Sequence, residues 1–222
     1  MERRVRRMNL KKLVTAAVCT MLMAAVAFTA GCGGEKKSDK KVLKVGMECA
    51  YAPYNWSQTK ADGGAVKIAG SNEYAYGYDV MMAKKLADSM GADLEIHKIE
   101  WDGLAPAVVS GKIDAAIAGM SITSKRKETV DFTKPYYYAT VVALVKKDSE
   151  QAKAQSVADL KGSVATSQLN TIWYDQIDQV PDVKKLPAID TVPGMIVALT
   201  SGKCNLIVTD IPTAKAAAFA NP

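Results

Sequence analysis

The chain has 222 residues, of which 49% are hydrophobic, enough for one or two compact lobes. Its net charge of +6 is concentrated at the start, because residues 1–31 hold six Lys or Arg and one acid. The rest of the chain is left with about +1, which excludes the basic surface that nucleic-acid binding requires.

Residues 1–31 are typical of a signal peptide for secretion. A basic start precedes an uncharged apolar run at 13–28, which is short for a membrane span. The small residues before Cys32 resemble a bacterial lipobox, with Thr29 where Leu is usual, and imply that the mature chain begins at a lipidated Cys32. Ordinary cleavage that leaves a free cysteine is the alternative. Residues 32–41, rich in Gly and Lys, predict a flexible tether, which is compatible with a merely frayed terminus.

The remaining chain alternates between strand and helix patterns. Short apolar runs predict strands, apolar residues at helical spacing predict helices, and Gly91, Gly111 and Pro181 end three of the helices. This alternation predicts an α/β fold with mostly parallel sheets. In chain order the predicted strands are 42–47, 94–99, 113–118, 141–145, 164–166 and 206–208, and the predicted helices are 79–90 (with Val80, Ala83, Ala87 and Met90 on one face), 101–110, 171–180, 193–201 and 213–219.

Two segments of the chain echo each other. Residues 105–119 and 196–210 both read as a helix, a Ser-Gly-Lys turn and a buried strand. Two such units suggest two lobes of related architecture. The alternative is that Ser-Gly-Lys is simply a sequence that ends helices well, in which case the match carries no information about lobes.

Cysteine and histidine usage predicts neither a metal site nor a cofactor. The single histidine and the four cysteines have no metal-ligand spacing. Cys49 and Cys204 each sit beside an apolar strand, and we expect buried free thiols there, with a disulfide between them as the alternative.

The most informative stretch is residues 111–138, GKIDAAIAGMSITSKRKETVDFTKPYYY. Its apolar strand ends in Ala118, Gly119 and Ser121, and Arg126 follows. A guanidinium offers a planar fork of donors and backbone N–H groups add charge-assisted bonds, so this combination suits a carboxylate. Alternatively, Arg126 is one more surface charge of its basic run.

These motifs closely resemble those of the family 3 solute-binding proteins, the amino-acid receptors of bacterial ABC importers. The resemblance covers residues 42–221. It implies a two-lobe, periplasmic-binding-protein-like fold of type II with its ligand in the cleft between the lobes. Lobe 1 would span residues 42–138 and lobe 2 residues 139–222. It also implies that the C-terminal part of the fold, including the return crossing to lobe 1, is missing from this chain.

The resemblance also implies roles for individual residues at the carboxyl ends of strands, where ligand sites of open α/β sheets lie. The strand-end residues Ala118, Gly119 and Ser121, together with Arg126, would hold the α-carboxylate of an amino acid. Thr171 would assist them, although it could be only a helix N-cap, and Leu169 and Asn170 depart from the usual sequence before it.

Asp210 would bind the α-ammonium group, and compensation of a helix dipole is the alternative role. With Pro212 at the first helical position, Ile211 is the predicted N-cap, which leaves Asp210 outside the helix and free to face a ligand. Tyr76 and Gly77 match the family's entry to the first helix and would be structural.

The loop after the first strand would contact the ligand side chain. Tyr51, Tyr54 and Trp56 are candidate walls, with a core-capping aromatic cluster as the alternative for each. Glu48 would face a polar or cationic end, as in lysine or arginine, with glutamine as the next candidate.

The implied function is a monomeric, lipid-anchored receptor outside the cytoplasm. It would capture a polar or cationic L-amino acid and deliver it to an ABC permease. The alternatives are an enzyme on the same fold, such as a cyclohexadienyl-type dehydratase, and the sensor domain of a membrane receptor. An enzyme needs an acid or base poised in the cleft, and no histidine is available there.

Overall fold

The computed structural model describes residues 41–222. The predicted signal peptide, Cys32 and all but the last residue of the predicted tether lie outside the described residues. Within residues 41–222, no helix combines the length and the apolar character needed to cross a membrane.

Short strands and helices alternate along the described chain. The strands are β1 (Val42–Met47), β2 (Ala50–Tyr51), β3 (Asn55–Gln58), β4 (Val66–Lys67), β5 (Tyr74–Tyr76), β6 (Asp93–Lys98), β7 (Ala115–Ala116), β8 (Val141–Leu144), β9 (Val164–Thr166), β10 (Lys184–Lys185) and β11 (Leu206–Asp210). The α-helices are α1 (Tyr78–Met90), α2 (Leu104–Val109), α3 (Ser124–Lys127), α4 (Ile172–Gln176), α5 (Val192–Thr200) and α6 (Ile211–Ala220).

The first sheet is parallel and has the strand order β6-β1-β7. The apolar run of β1 makes it the central strand, and Val45 and Met47 are fully buried there. Helix α1 covers this sheet with Val80 and Ala83, which belong to the same core cluster.

The second sheet has the order β10-β9-β11-β8, in which only β8 runs antiparallel to its neighbour. Every residue of β11 is buried. One core cluster joins this sheet to α5 through Met195 and Leu199, and another joins it to α4 through Trp173. Helices therefore contribute to two separate cores around one sheet.

A third, antiparallel sheet with the order β2-β3-β5-β4 follows the first-strand loop. The sequence patterns did not predict its two- to four-residue strands, which are too short for a periodicity of two to register. This sheet positions Tyr51 and Trp56.

The echo between the two halves is confirmed in the structure. Helix α2 ends at a turn in which Gly111 has a φ of 71° and β7 follows, while α5 ends at a turn in which Gly202 has a φ of 79° and β11 follows. Glycine adopts this left-handed conformation at no steric cost, so both helices stop in the same way.

Several predicted elements are shorter or more broken than expected. Of the predicted strand 113–118, only Ala115 and Ala116 pair with β1 as a strand. The predicted helices at 101–110 and 171–180 are each divided into an α-helix and a 3-10 turn, at Trp101–Gly103 and Ile177–Gln179. On the apolar face of α1, Val80, Ala83 and Ala87 are buried, whereas Met90 in the last turn is 53% exposed.

Cys49 and Cys204 are free, buried thiols, as expected. They belong to different core clusters, one beneath the first sheet and one beside α5. The burial of each follows from the apolar strand beside it.

Candidate ligand site

Five of the predicted site residues converge on one small cavity of about 10 Å³, with room for about one water. They come from the loop after β1, from the segment between β7 and α3, from α3 itself and from the start of α4. This cavity alone is too small for an amino acid, but Tyr51, Gly119 and Ser121 also line a second cavity of about 590 Å³. The lining residues are Tyr51, Trp101, Gly119, Ser121, Arg126, Gln168, Thr171 and Trp173.

Arg126 is half-buried at this cavity, in the short helix α3 that Thr123 caps. Its guanidinium donates to the carbonyl oxygens of Ser121 (2.7 Å) and Asn170 (2.8 Å) and lies over the Trp101 ring, 5.3 Å from the centroid. Among residues 41–222 it forms no salt bridge with a carboxylate. Burial lowers its pKa from the ordinary value, and the charge of Asp175 opposes this shift. A partly desolvated cation held only by neutral acceptors attracts an anion.

Thr171 is the N-cap of α4 and also lines the cavity. Its hydroxyl accepts a hydrogen bond from the Tyr174 amide (3.3 Å) and donates to the Gln168 carbonyl (2.7 Å). The preceding Asn170 takes a φ of 53°, so asparagine adopts here the left-handed conformation that glycine would otherwise provide.

Gly119 lies at the cavity with a φ of 61°. We expected its backbone N–H to be free for a ligand, but it donates to the Tyr136 hydroxyl over 2.9 Å. A Cβ atom at this position would lie 2.9 Å from Cε1 of Tyr51, so only glycine fits against that ring.

Asp210 is fully buried and has four hydrogen-bond partners. The prediction that Ile211 caps α6 is wrong, because Asp210 is itself the N-cap and accepts from the Thr213 amide (2.9 Å) and hydroxyl (3.0 Å). Tyr51 donates to it over 2.6 Å, and Tyr54 makes a longer contact of 3.4 Å. The carboxylate is therefore not free, because Thr213 at the start of the helix already donates to it.

Tyr51 and Tyr54 stack on each other with ring centroids 4.7 Å apart. Tyr51 lines the small cavity, whereas Tyr54 stands behind it. Tyr54 and Ala118 border a second, larger cavity of about 590 Å³ between β7 and residues 130–139.

Trp56 lines neither cavity. Its ring packs edge-on against Tyr76, at 5.0 Å, within the third sheet. Trp56 pairs with Ala50 and Asn55 with Tyr51, so Trp56 and Tyr51 lie on opposite faces of this sheet.

Glu48 is buried immediately behind the small cavity, with 4% of its surface exposed. The side-chain amide of Gln168 donates to both carboxylate oxygens, at 3.0 and 3.2 Å, and to the Asp190 carbonyl at 2.9 Å. Desolvation raises the pKa of Glu48 to about 7, with the Gln168 bond lowering it and the charge of Glu100 raising it. The carboxylate is thus poised for a cation that would replace Gln168.

Sequence reasoning missed three lining residues, Trp101, Gln168 and Trp173. Trp101 and Trp173 each lie near the start of a predicted helix that follows a strand end, which was an available signal. Gln168 precedes Thr171 in the same strand-end loop, but its contact with Glu48 bridges 120 residues of chain and leaves no local pattern.

No group of His, Cys, Asp and Glu side chains in residues 41–222 could hold a metal ion. The side chains at the small cavity supply a guanidinium, hydroxyl groups and an amide, which are groups that form hydrogen bonds.

Comparison with known proteins gives a consistent result. Residues 43–185, more than half of the chain, match the bacterial extracellular solute-binding proteins, family 3. A probable histidine-binding protein of Campylobacter jejuni subsp. jejuni is 31% identical over 180 residues, covering 81% of this chain and 64% of that protein. ABC transporter arginine-binding protein 1 of Escherichia coli K12 is 30% identical over 202 residues, covering 90% and 72%.

Among solved structures, an ancestral arginine-binding protein bound to glutamine superposes with a TM-score of 0.70 at 32% identity. The match covers 82% of this chain and 75% of that one. The chain thus spans 64–75% of the length of these three proteins. The likeness confirms the predicted α/β, two-lobe fold of the periplasmic-binding-protein type II class.

Proposed function

Because the chain belongs to the family 3 bacterial extracellular solute-binding proteins, we propose that it is a receptor that captures an amino acid and delivers it to an ABC importer. Lobe 1 comprises residues 42–138 and lobe 2 residues 139–222, with the ligand between them. The permease in the cytoplasmic membrane is the partner, and the receptor acts as a monomer without a cofactor.

The observation that carries this proposal is the presence of two opposite charges, one at the small cavity and one hydrogen-bonded to Tyr51, which lines that cavity. The Arg126 guanidinium lacks a carboxylate partner among the described residues, and the buried Asp210 carboxylate lies on the other side of Tyr51. Both charges of a zwitterion must be paired with opposite charges when it leaves water, because an unpaired buried charge is costly. Arg126 binds the α-carboxylate together with Ser121 and Thr171, and Asp210 binds the α-ammonium. Gly119 lies at the same place, but its N–H donates to Tyr136.

The ligand side chain is polar or cationic, arginine or lysine first and glutamine next. Glu48 supports this class, because a buried carboxylate whose pKa is near 7 is stabilised by a cation that reaches it. The relatives named above are described as histidine- and arginine-binding, and the ancestral protein binds glutamine. Tyr51 forms one wall for this side chain, with Tyr54 behind it.

An enzyme on the same fold is the competing class. Glu48 has a pKa suited to a general base, but Gln168 separates it from the cavity. The named relatives are binding proteins, which favours a receptor. Recovery of the bound molecule chemically unchanged supports the receptor, and its conversion supports the enzyme.

The receptor acts on the outer face of the cytoplasmic membrane, held there by lipid on Cys32. The apolar run followed by Thr-Ala-Gly-Cys supports this anchor. Cells grown on labelled palmitate should label the wild-type chain but not Cys32→Ala. Equal label in both proteins would show that Cys32 is not the anchor.

Titration calorimetry with the twenty common L-amino acids tests the central proposal. We expect micromolar binding, about −8 kcal/mol, for one or two polar or cationic members. D-arginine is the matched control, because it carries the same charges in the wrong geometry. Absence of binding by every L-amino acid would refute the proposed function.

A further inference from the structure

Asp79 is a buried carboxylate that the ligand site described above does not use. It lies in the first turn of α1 and is fully buried. Within the described residues it forms no salt bridge, and it accepts hydrogen bonds from the Asn55 side-chain amide and the Tyr136 hydroxyl, both at 2.7 Å. Burial raises its pKa to about 6, against the lowering effect of those two bonds. Burying a carboxylate without a cationic partner costs free energy, and such groups are often found at functional sites.

One arm of this network reaches the loop after β1. The Asn55 amide that donates to Asp79 also carries an oxygen, which accepts from the Cys49 backbone N–H over 2.8 Å. Cys49 has a φ of 57°, an unfavourable backbone conformation for a residue with a side chain. The arm thus holds the turn between Glu48 and Tyr51.

The other arm reaches the opposite wall of the cavity. The Tyr136 hydroxyl donates to Asp79 and accepts from the Gly119 backbone N–H over 2.9 Å. Since a hydroxyl has one hydrogen, its donation to Asp79 leaves its lone pairs facing Gly119. The carboxylate therefore determines which way this hydroxyl points.

The two arms meet at the contact between Tyr51 and Gly119. The space between the Tyr51 ring and the Gly119 backbone is too small for a Cβ atom, which would come within 2.9 Å of the ring. The backbone of Asp79 is tied to the same loop, because its N–H donates to the Tyr54 carbonyl over 2.8 Å. A shift at Asp79 is therefore transmitted to both walls.

We propose that Asp79 is a positioning residue for the ligand site, which sets the separation of the Tyr51 wall and the Gly119 wall through Asn55 and Tyr136. It does not touch the ligand. The proposal deepens the proposed function and rests on it for the identity of the ligand.

Three variants of the 222-residue chain test this role. Asp79→Asn keeps the shape but turns one acceptor into a donor, which faces the donor of Asn55 or of Tyr136. Tyr136→Phe removes only the arm to Gly119. Asp88→Asn makes the same chemical change at an exposed position of α1 and is the matched control. Amide hydrogen exchange by NMR and calorimetry with L-arginine are measured on each.

The exchange pattern separates positioning from general destabilisation. In Asp79→Asn the amides of both Cys49 and Gly119 should exchange about tenfold faster or more, because their acceptors Asn55 and Tyr136 lose the partner that orients them. In Tyr136→Phe only the Gly119 amide loses its acceptor and should exchange faster. The amides of Val45 and Ile96 in the first sheet should not change. Acceleration spread equally over these core amides would overturn the proposal.

Binding supplies the second readout. The Kd for L-arginine should rise about tenfold in Asp79→Asn and less in Tyr136→Phe, and stay at the wild-type value in Asp88→Asn. A folded Asp79→Asn protein with wild-type affinity would overturn the positioning role and leave the proposed function standing. If Asp79→Asn does not fold, Tyr136→Phe decides in the same way. If the wild-type chain binds no amino acid, the proposed function fails, and the exchange pattern still decides whether Asp79 sets the walls.

Discussion

The Tyr51 hydroxyl donates a hydrogen bond of 2.6 Å to the Asp210 carboxylate, although 159 residues separate the two in sequence. This bond joins the loop after β1 to the start of α6. Thr213 donates to both oxygens of the same carboxylate. On the proposed function, an α-ammonium group that binds Asp210 would compete with the Tyr51 hydroxyl for it.

Two substitutions of Asp210 should separate its helix-capping role from ligand binding. Asparagine caps a helix about as well as aspartate, so Asp210→Asn should change the free energy of unfolding by less than about 1 kcal/mol. It lacks the charge for the ammonium group and should weaken amino-acid binding by roughly 2–5 kcal/mol. Asp210→Ala should lose both the helix cap and the contact with the ammonium group. Thermal unfolding and calorimetry measure the two quantities.

Ser156→Ala is the control for the loss of a cap alone. Ser156 and Asp159 form an exposed capping box away from the cavity. This variant should lose up to about 1 kcal/mol of stability and keep its affinity. Wild-type affinity in Asp210→Asn would reduce Asp210 to a cap.

Arg126→Ala should weaken binding by about 2–5 kcal/mol, because the ligand carboxylate would be desolvated without a partner. Arg126→Lys should recover only part of this, since an ammonium group cannot form the planar fork. Lys127→Ala removes an exposed charge from the same helix and should bind as the wild type does. Equal losses in Arg126→Ala and Lys127→Ala would indicate a general electrostatic effect and not a contact.

The double variant Arg126→Ala/Asp210→Ala should lose less affinity than the sum of the two single losses. Each charge strengthens its contact only when the cleft closes and excludes water, and closure needs both. Once one contact is gone, the other has less to lose. Calorimetry on the four proteins of this cycle gives the coupling energy. Simple additivity would show that the two residues act independently.

Affinity for arginine should rise as the pH increases through about 7, the pKa of Glu48. Below that pH the Glu48 carboxyl group is protonated and forms no ion pair with a cation. Above that pH it is ionised and forms one. Neutral glutamine should lack this component. Calorimetry between about pH 6 and pH 8 measures the slope for both ligands.

Glu48→Gln is the matched variant for this slope, and it isolates Glu48 from Asp79, whose pKa is also raised. It should remove the difference between arginine and glutamine in the pH dependence of their affinity. Its effect on stability has a definite sign as well. The pKa of Glu48 in the folded state, about 7, lies above the ordinary value of 4.5, so the folded state binds the proton more tightly. Unfolding free energy should fall as pH rises across that window in the wild type and less so in Glu48→Gln. If arginine and glutamine weaken alike in the variant, Glu48 is structural.

Local patterns were sufficient for two internal strands of the sheets. The runs at Val42–Met47 and Val164–Thr166 form strands with the predicted bounds, because most residues of an internal strand are buried and apolar. Gly91 ends α1 in the left-handed conformation, as a residue without a Cβ atom allows. The exposed Met90 shows the limit of periodicity, since the last turn of a helix can extend past the sheet it covers.

The sequence by itself determined the α/β alternation, the strand ends that carry the site, and the presence there of Tyr51, Gly119, Ser121, Arg126 and Thr171. Each of these depends on residues adjacent in the chain. Only the tertiary structure decided that Tyr51 donates to Asp210, that Gln168 donates to Glu48, and that Tyr136 accepts from the Gly119 amide. Hydrogen bonds are satisfied by whatever donor folding brings within about 3 Å. When that donor lies far away in the chain, no local sequence pattern predicts the hydrogen bond.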